Sequence, residues 1–223
     1  MFDEKLTHHI QKHIVDVLNH QKVARFRDLR KPGVDTNLFA YHLKLLTKNG
    51  MVQKVDGGYA LGEKGLAYVD RVSEGTMNIR TQPKIVTMLV IQNSNGDVLL
   101  WHRDKQPYID TWTLPYGKLH IDDMSIEAAA VREANEKLGL VDSSPEHAGD
   151  CYIRVVGKDG EILSSTLAHV FRYEADTITE NERIKWARPH KLSQYELAPA
   201  VEQIITRTFF LDPYFFEEFD IGW

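Results

Sequence analysis

Cysteine is almost absent from this chain of 223 residues, in which Cys151 is the only one. A single cysteine excludes an intrachain disulfide and any zinc site built from cysteine thiolates. Long apolar runs are also lacking, since no run approaches the roughly 18 residues that a membrane-spanning helix requires, and the first residues contain no apolar segment of signal-peptide length. These absences predict a cytoplasmic protein that has no membrane as partner.

Charge of one sign is unevenly spread along the chain. The net charge is −5, but residues 1–80 contain 13 Lys and Arg against 9 Asp and Glu, whereas the remainder contains 14 against 23. A basic first part joined to an acidic remainder is typical of a nucleic-acid-binding module attached to another domain. The chain has no internal repeat or low-complexity tract, and its length allows one large domain or two small ones.

The first 72 residues show helical periodicity interrupted by turn residues. Asp35 or Thr36 is the expected cap of a helix that ends at Lys48, and Asp56-Gly57-Gly58 predicts a tight hairpin. The predicted helices are 4–19, 24–31, 36–48 and 63–72, and the predicted hairpin strands are 51–55 and 59–61.

This order of three helices, a hairpin and a further helix resembles the winged helix-turn-helix, with residues 38–52 similar to its recognition helix and entry to the wing. The resemblance implies that Leu43, Leu46 and Met51 are core residues. It also implies that five outward-facing side chains meet double-stranded DNA: Asn37, Tyr41, Lys44, Lys48 and Lys54. We therefore predict a winged helix-turn-helix domain over residues 1–75 and a linker over residues 76–83.

The segment from Gly117 to Leu140 is the most informative part of the chain. It indicates a loop, then a helix capped by Ser125, then a turn at Gly139. Glu133 and Glu136 are three residues apart on this helix, so both carboxylates lie on one face and can converge on one cation. Carboxylates on a rigid helix suit Mg²⁺.

Two stretches resemble the Nudix box and the approach to it: Trp112-Thr-Leu-Pro-Tyr-Gly117-Lys118 and Arg132-Glu133-Ala-Asn-Glu136-Lys-Leu-Gly139-Leu140. The resemblance covers residues 84–210 and implies an α/β/α sandwich with a mixed sheet, so the whole chain is expected to be of the α+β class. It also implies hydrolysis of a nucleoside diphosphate linked to another group, with Mg²⁺ or Mn²⁺ as cofactor.

Residue roles follow from the same resemblance. Arg132, Glu133 and Glu136 are the expected catalytic residues, with Arg132 pairing a glutamate to hold the helix. The expected metal ligands are Glu133, Glu136, Asp123 and Glu182. The expected contacts to the nucleotide-derived substrate are Arg103, Trp112, Tyr116, Gly117 and Lys118.

The chain departs from the family pattern at three points that bear on activity: the length of the loop, the loop glutamate and the position of Lys137. One extra residue lies between Gly117 and Arg132, so the loop glutamate corresponds to Asp123 when counted from the glycine and to Met124 when counted from the arginine. Lys137 stands where the family has a metal-binding glutamate. It removes one ligand, adds a positive charge and can pair with Glu133 four residues earlier.

The second half predicts alternating strands and a closing helix, with the buried strand 84–92 first. The other predicted elements are strands 98–103, 150–156, 164–173 and 184–188 and helix 193–210. Five aromatic residues occur in the tail 211–223, which is too apolar to be free and is expected to pack on a neighbouring domain or a second subunit. We therefore expect a homodimer.

These features support three functional hypotheses. The first, slightly favoured, is a Mg²⁺-dependent Nudix hydrolase with an appended DNA-binding winged helix. The second is a transcriptional regulator whose divergent Nudix domain senses a nucleotide metabolite without efficient turnover. In the third and weakest, the winged helix binds another protein rather than DNA.

Overall fold

The computed structural model describes residues 6–73, 77–79, 81–106, 108–141, 144–210 and 214–222, apart from the side chain of Phe210. The chain divides into two compact units, Met1–Thr81 and Gln82–Trp223. Within the described ranges, no helix is both long enough and apolar enough to cross a membrane.

The described residues of the first unit form four helices and a two-stranded antiparallel sheet, in the order that the winged helix-turn-helix resemblance predicts. Its elements are α1 (His9–His20), α2 (Phe26–Leu29), α3 (Thr36–Lys48), β1 (Val52–Val55), β2 (Gly58–Leu61) and α4 (Glu63–Val69). The part of the predicted first helix before residue 6 lies outside the described residues. Asp35 caps α3 by accepting hydrogen bonds from the backbone N–H groups of Asn37 and Leu38, so local capping chemistry determines where this helix begins.

The core of the first unit is formed by the apolar faces of α1 and α3. Leu43, Leu46 and Met51 are buried, which confirms their expected place in the core. Met77 also belongs to this core, and its carbonyl accepts a hydrogen bond of 2.8 Å from the Tyr68 hydroxyl. The sequence assigns this residue to the linker, but its apolar side chain is instead buried with the helices.

The part of the second unit that the structure describes is a mixed sheet covered by one helix on each face. Its elements are β3 (Lys84–Gln92), β4 (Val98–His102), β5 (Trp112–Thr113), β6 (Tyr116–Lys118), α5 (Ile126–Leu138), β7 (Glu146–Val156), β8 (Ile162–Glu174), β9 (Ile184–Ala187), a 3-10 segment (Pro189–Gln194), α6 (Val201–Phe210) and β10 (Phe215–Gly222). The strand order is β10-β7-β8-β3-β4-β5, with β6 beside β3 and β9 beside β4. The predicted α+β class, with an α/β/α sandwich around a mixed sheet, is confirmed.

Strand alternation explains why both faces of β3 are buried. Leu89 and Ile91 point to the face where α5 packs, together with Ala130 and Ala134. Val86, Met88 and Val90 point to the opposite face, where they meet Val201 and Ile204 of α6. Successive side chains of a strand project to opposite sides, so a strand between two helices is apolar on both faces.

The closing helix is shorter than predicted. The sequence predicts helix 193–210, but the 3-10 segment ends at Gln194 and α6 begins only at Val201. Between them the backbone pairs with β5, since Trp112 N–H donates to the Glu196 carbonyl and Ala198 N–H donates to the Trp112 carbonyl. Pro199 follows directly, and the residue before a proline is disfavoured in helical conformation.

Residues 215–222 of the aromatic tail form an edge strand of the sheet in their own unit, residues 211–213 and 223 lie outside the described residues, and packing on a second subunit stays a prediction. Residues Phe215–Gly222 form β10, which pairs in parallel with β7. Phe215 is buried in the core beside α6, whereas Phe216 is 60% exposed. Alternation along an edge strand thus accounts for Phe215 and Phe219, which face the core, and places Phe216 on the outer face.

Candidate active site

Helix α5 presents the charged residues of the predicted site. Its first turn is capped by Ser125 Oγ, which accepts a hydrogen bond of 3.0 Å from Ala128 N–H. The helix ends at Gly139, whose φ of 69° suits a left-handed cap. Ala130 and Ala134 pack on the sheet, which fixes the rotation of the helix about its axis. Glu133 is buried as a consequence of that rotation.

Arg132 connects the loop before α5 to the helix itself. Its guanidinium donates to both oxygens of Asp123, each at 2.9 Å, and to Glu133 Oε1 at 2.8 Å. The hydrogen bonds from Arg132, with one from the backbone N–H of His120, lower the pKa of Asp123 to about 2. Met124, in contrast, is 94% exposed. Of the two positions left open by the sequence, Asp123 is therefore the one that pairs with the arginine.

Lys137 neutralises the second oxygen of the buried carboxylate. Its Nζ atom lies 3.4 Å from Glu133 Oε2 and 5.7 Å from the centre of the Trp101 ring. Because Arg132 holds the other oxygen, Glu133 is flanked by two cations.

Two of the remaining predicted metal ligands, Asp123 and Glu136, are paired with Arg132, and the third, Glu182, lies outside the cleft beside Glu133. The Glu136 side chain is 59% exposed, and its carboxylate lies 3.6 Å from Arg132. Glu182 is exposed and does not line the cleft beside Glu133. Both carboxylate oxygens of Asp123 accept hydrogen bonds from Arg132.

A cleft of about 440 Å³ opens beside Glu133 and is rich in positive charge. Its lining includes five positively charged Lys and Arg side chains but only two carboxylates. Its lining residues are Trp101, Arg103, Asp104, Lys105, Thr113, Tyr116, Gly117, Lys118, His120, Glu133, Lys137 and Arg183. Asp104 is already paired with Arg183 at 2.9 Å, so the cleft is suited to an anionic ligand.

A smaller and more apolar recess of about 110 Å³ adjoins the cleft. Arg103, Thr113 and Tyr116 line both spaces. Arg103 Nη1 donates a short hydrogen bond to the Tyr116 hydroxyl, which holds the tyrosine ring between the two. Other lining residues of the recess are Val86, Met88, Ile153, Val155 and Ala198.

Comparison with known families decides the identity of this unit. The NUDIX domain family model matches residues 82–209. The chain belongs to the NUDIX domain family. No curated protein matches the sequence.

The chain is similar to several solved structures. The mutator MutT protein from Bacillus halodurans is 20% identical and has a TM-score of 0.51, covering 61% of this chain and 89% of its own. The NUDIX domain of Shewanella oneidensis NrtR, solved in complex with ADP ribose, is 18% identical with a TM-score of 0.45, covering 64% of this chain and 94% of its own. A NUDIX hydrolase from Nitrosomonas europaea is 17% identical with a TM-score of 0.45, covering 76% and 93%.

Nudix enzymes generally use divalent metal ions, but the side chains at this site do not fit one in the arrangement observed. Both oxygens of Glu133 are paired with cations. Glu136 is mostly exposed to solvent, and Lys137 brings an ammonium group where a further carboxylate would be needed. A divalent ion would have to displace Lys137 before it could bind Glu133.

Four of the five predicted substrate contacts line the Nudix cleft, namely Arg103, Tyr116, Gly117 and Lys118. Trp112 does not; it packs against the core, with Lys185 Nζ 5.0 Å from its ring centre.

The sequence did not predict two other cations of the cleft, Lys105 and Arg183. Both belong to connections rather than strands, where spacing gives no indication of a shared surface.

The five residues predicted to meet DNA are all exposed: Asn37, Tyr41, Lys44, Lys48 and Lys54. The first four lie on α3, and Lys54 lies on β1. Exposure is required of a DNA-reading surface but is also ordinary for polar residues. Their role therefore stays a prediction.

Proposed function

We propose that the Nudix unit binds a nucleoside diphosphate derivative and turns it over slowly or not at all, while the N-terminal unit binds double-stranded DNA. The protein then acts as a regulator whose DNA affinity responds to the bound nucleotide. One observation carries this proposal: Lys137 is paired with the buried carboxylate of Glu133.

Electrostatics at Glu133 support weak metal binding. Two unit charges about 4 Å apart interact by about 4 kcal/mol at an effective dielectric constant of about 20. A divalent ion close to Lys137 would be repelled about twice as strongly, before screening by solvent. Glu133 already has compensating charge on both oxygens, so a metal would gain little there unless Lys137 moved away.

The cations of the cleft support phosphate binding that requires no metal. Arg103, Lys105 and Lys118 line it together with Lys137 and Arg183. Guanidinium and ammonium groups form charge-assisted hydrogen bonds with phosphate oxygens. The adjoining recess, with the Tyr116 ring at its boundary, offers an apolar surface for a base. The two spaces together match a ligand that is anionic at one end and apolar at the other.

Hydrolysis is the second candidate, and the position of Glu136 favours it. Its side chain is 59% exposed and its carboxylate lies 3.6 Å from Arg132 Nη1, so it is accessible to a metal ion. If binding of a nucleotide moved Lys137 away, Glu133 and Glu136 would be two carboxylates one helical turn apart. Phosphoanhydride cleavage with Mg²⁺ would then depend on both glutamates.

Calorimetric titration with a panel of sugar nucleotides and dinucleoside diphosphates, including ADP-ribose, separates the candidates. The proposal predicts binding in EDTA with an affinity that Mg²⁺ does not improve, and slow release of monophosphate or phosphate or none. Mg²⁺-dependent release that Glu133→Gln abolishes would instead establish the hydrolase. If no compound of the panel binds, the nucleotide-sensing proposal is wrong.

The regulatory half of the proposal has its own measurement. Binding of the full chain to its upstream DNA is measured in the presence and absence of the tightest nucleotide from the panel. Because linkage is reciprocal, a nucleotide that changes DNA affinity must itself bind more or less tightly when DNA is present. Equal DNA affinities with and without nucleotide would contradict the coupling.

A further inference from the structure

Three side chains of the kinds that ligate transition metals lie together away from the Nudix cleft: His147, Asp150 and His169. His147 and Asp150 belong to β7, and His169 belongs to β8. None of the three lines the cleft. His169 is two residues from Phe171, which packs beside α5, so the group lies on the α5 side of the sheet.

A β-bulge brings the first histidine to this face. In a regular strand His147 and Asp150, three residues apart, would point to opposite sides. The register between β7 and β8 shifts between His147 and Gly149, whereas Asp150 stands directly opposite His169. One extra residue in β7 restores a common side for His147 and Asp150, as bulges do when they redirect side chains. The His147 ring then stacks on Phe171 at 4.8 Å.

The three ligand atoms are close enough to share one ion. Asp150 Oδ1 lies 3.0 Å from His147 Nε2 and 2.7 Å from His169 Nδ1, and all three atoms are within 4.8 Å of one another. A tetrahedral zinc ion with bonds of about 2.0–2.1 Å places its ligand atoms about 3.3 Å apart. To reach this spacing, the distances from Asp150 Oδ1, now 3.0 Å to His147 Nε2 and 2.7 Å to His169 Nδ1, would lengthen by about 0.3 and 0.6 Å.

We propose that His147 Nε2, Asp150 Oδ1 and His169 Nδ1 form a binding site for a single zinc ion whose fourth position is open to water. This site is separate from the nucleotide function proposed above. Two imidazoles and one carboxylate select zinc-type transition metals, whereas Mg²⁺ prefers oxygen ligands alone. The His147 side chain is 37% exposed, so an ion can reach the site from solvent. The His169 side chain is only 13% exposed, so the other side of the site is shielded from solvent.

The position of Tyr214 indicates what the ion would do. Its hydroxyl donates a short hydrogen bond to Asp150 Oδ2, the oxygen that zinc does not use. An outer partner of this kind orients a metal-bound carboxylate. Tyr214 directly precedes β10, so zinc would connect the β7–β8 hairpin to the start of the C-terminal strand and stabilise its docking.

Zinc titration of the metal-stripped full chain, by calorimetry with a competing chelator, tests the site. We expect zinc to bind with a stoichiometry of one per chain and to raise the melting temperature, with Mg²⁺ in excess having no effect on zinc affinity. His147→Ala and Asp150→Asn should each weaken binding by more than about tenfold, because even outer partners of a metal contribute about 10–100-fold. The exposed His190 provides the matched control, and His190→Ala should leave zinc affinity unchanged.

Two further measurements keep the test decisive. The double variant His9→Ala/His13→Ala removes histidines that are four residues apart on α1 and should retain full zinc affinity; if it loses the zinc, the proposal is wrong. Should the variants in β7 fail to fold, modification of wild-type histidines by diethyl pyrocarbonate is followed by mass spectrometry. Zinc should protect His147 and leave His190 reactive. Equal reactivity of His147 with and without zinc, or no zinc binding by wild type, would overturn the site.

Discussion

The carboxylate of Glu133 occupies the space that a side chain at position 117 would fill. A Cβ atom built on Gly117 would lie 1.6 Å from Glu133 Cδ and 1.7 Å from its Oε1 atom. The glycine that the sequence analysis assigned to substrate contact is thus required by the helix as well. Strand β6 and helix α5 can approach only because this residue has no side chain.

Substituting Gly117 with alanine should therefore destabilise the Nudix unit. We expect a loss of about 1–3 kcal/mol, the usual cost of forcing extra atoms into a packed site, together with displacement of Glu133 and weaker nucleotide binding. Urea denaturation measures the loss. A Cβ atom built on Gly222 would meet nothing within 4 Å, so Gly222→Ala should stay within about 0.5 kcal/mol of wild type. Equal stability of the two variants would contradict the close approach.

Replacing Lys137 with glutamate should create a divalent-metal site. The change removes the ammonium group 3.4 Å from Glu133 Oε2 and adds a carboxylate one residue from Glu136. Calorimetry should show Mg²⁺ affinity at least about tenfold above wild type, equivalent to about 1.4 kcal/mol. Mg²⁺ should also raise the melting temperature of this variant but not of wild type.

The exposed Lys158 supplies the matched charge reversal for that experiment. Lys158→Glu should leave Mg²⁺ affinity at the wild-type value. If wild type already binds Mg²⁺ as tightly as Lys137→Glu, then Lys137 does not block the site and the sensor proposal loses its main support.

The Asp123–Arg132 ion pair should make the free energy of unfolding depend on pH in the acid range. The pKa of Asp123 is about 2 in the folded protein against an ordinary value of 3.8. A depressed folded pKa contributes stability that is fully present above the unfolded value and is lost as pH falls through the folded value. The free energy of unfolding of wild type should thus exceed that of Asp123→Asn at neutral pH, and the difference should shrink between about pH 4 and pH 2.

Asp122 is the control for this pH series, since it is exposed and adjacent in sequence. Denaturation curves of Asp122→Asn should follow wild type across the same range. A difference between wild type and Asp123→Asn that stays constant down to the acid end of the series would show that the pair is not formed in solution.

Lys44 and Lys48 should contribute to the salt dependence of DNA binding. Each phosphate contact adds about one unit to the slope of log affinity against log salt concentration, so Lys44→Ala/Lys48→Ala should reduce the slope by about two. Fluorescence anisotropy over a range of salt concentrations measures it. Lys158→Ala/Lys191→Ala removes two exposed lysines of the other unit and should not change the slope. Identical slopes for all three proteins would exclude the predicted surface of α3.

Local chemistry made α3 of the first unit and α5 of the second unit predictable. Asp35 and Ser125 each cap a helix with their own side chain, and Gly139 ends α5 in the left-handed conformation that glycine favours. These interactions join residues within a few positions of one another, so the sequence contains all of the information. The resemblance to the Nudix family could be recognised in residues 117–140, because the motif is one loop followed by one helix with no break in the sequence.

Long-range pairing limited the prediction elsewhere. The short strand β6 lies in the sheet because Gly117 pairs with Thr87 of β3, and nothing near position 117 indicates that partner. The predicted closing helix was too long because the backbone of Trp112, which is distant in the sequence, forms hydrogen bonds with the backbone of Glu196 and Ala198. The parallel pairing of β10 with β7 joins distant segments in the same way.

The amino-acid sequence by itself determined the α+β class and the Nudix fold. It also showed that Lys137 stands where the family pattern has a metal-binding glutamate. The tertiary structure alone decided that Glu133 is buried against Gly117, that Asp123 rather than Met124 meets Arg132, and that a bulge aligns His147 with Asp150. Spacing along one helix or strand specifies which side chains share a face. The charge that lies opposite that face comes from another segment, and only the packing of the sheet and helices brings the two within a few ångströms.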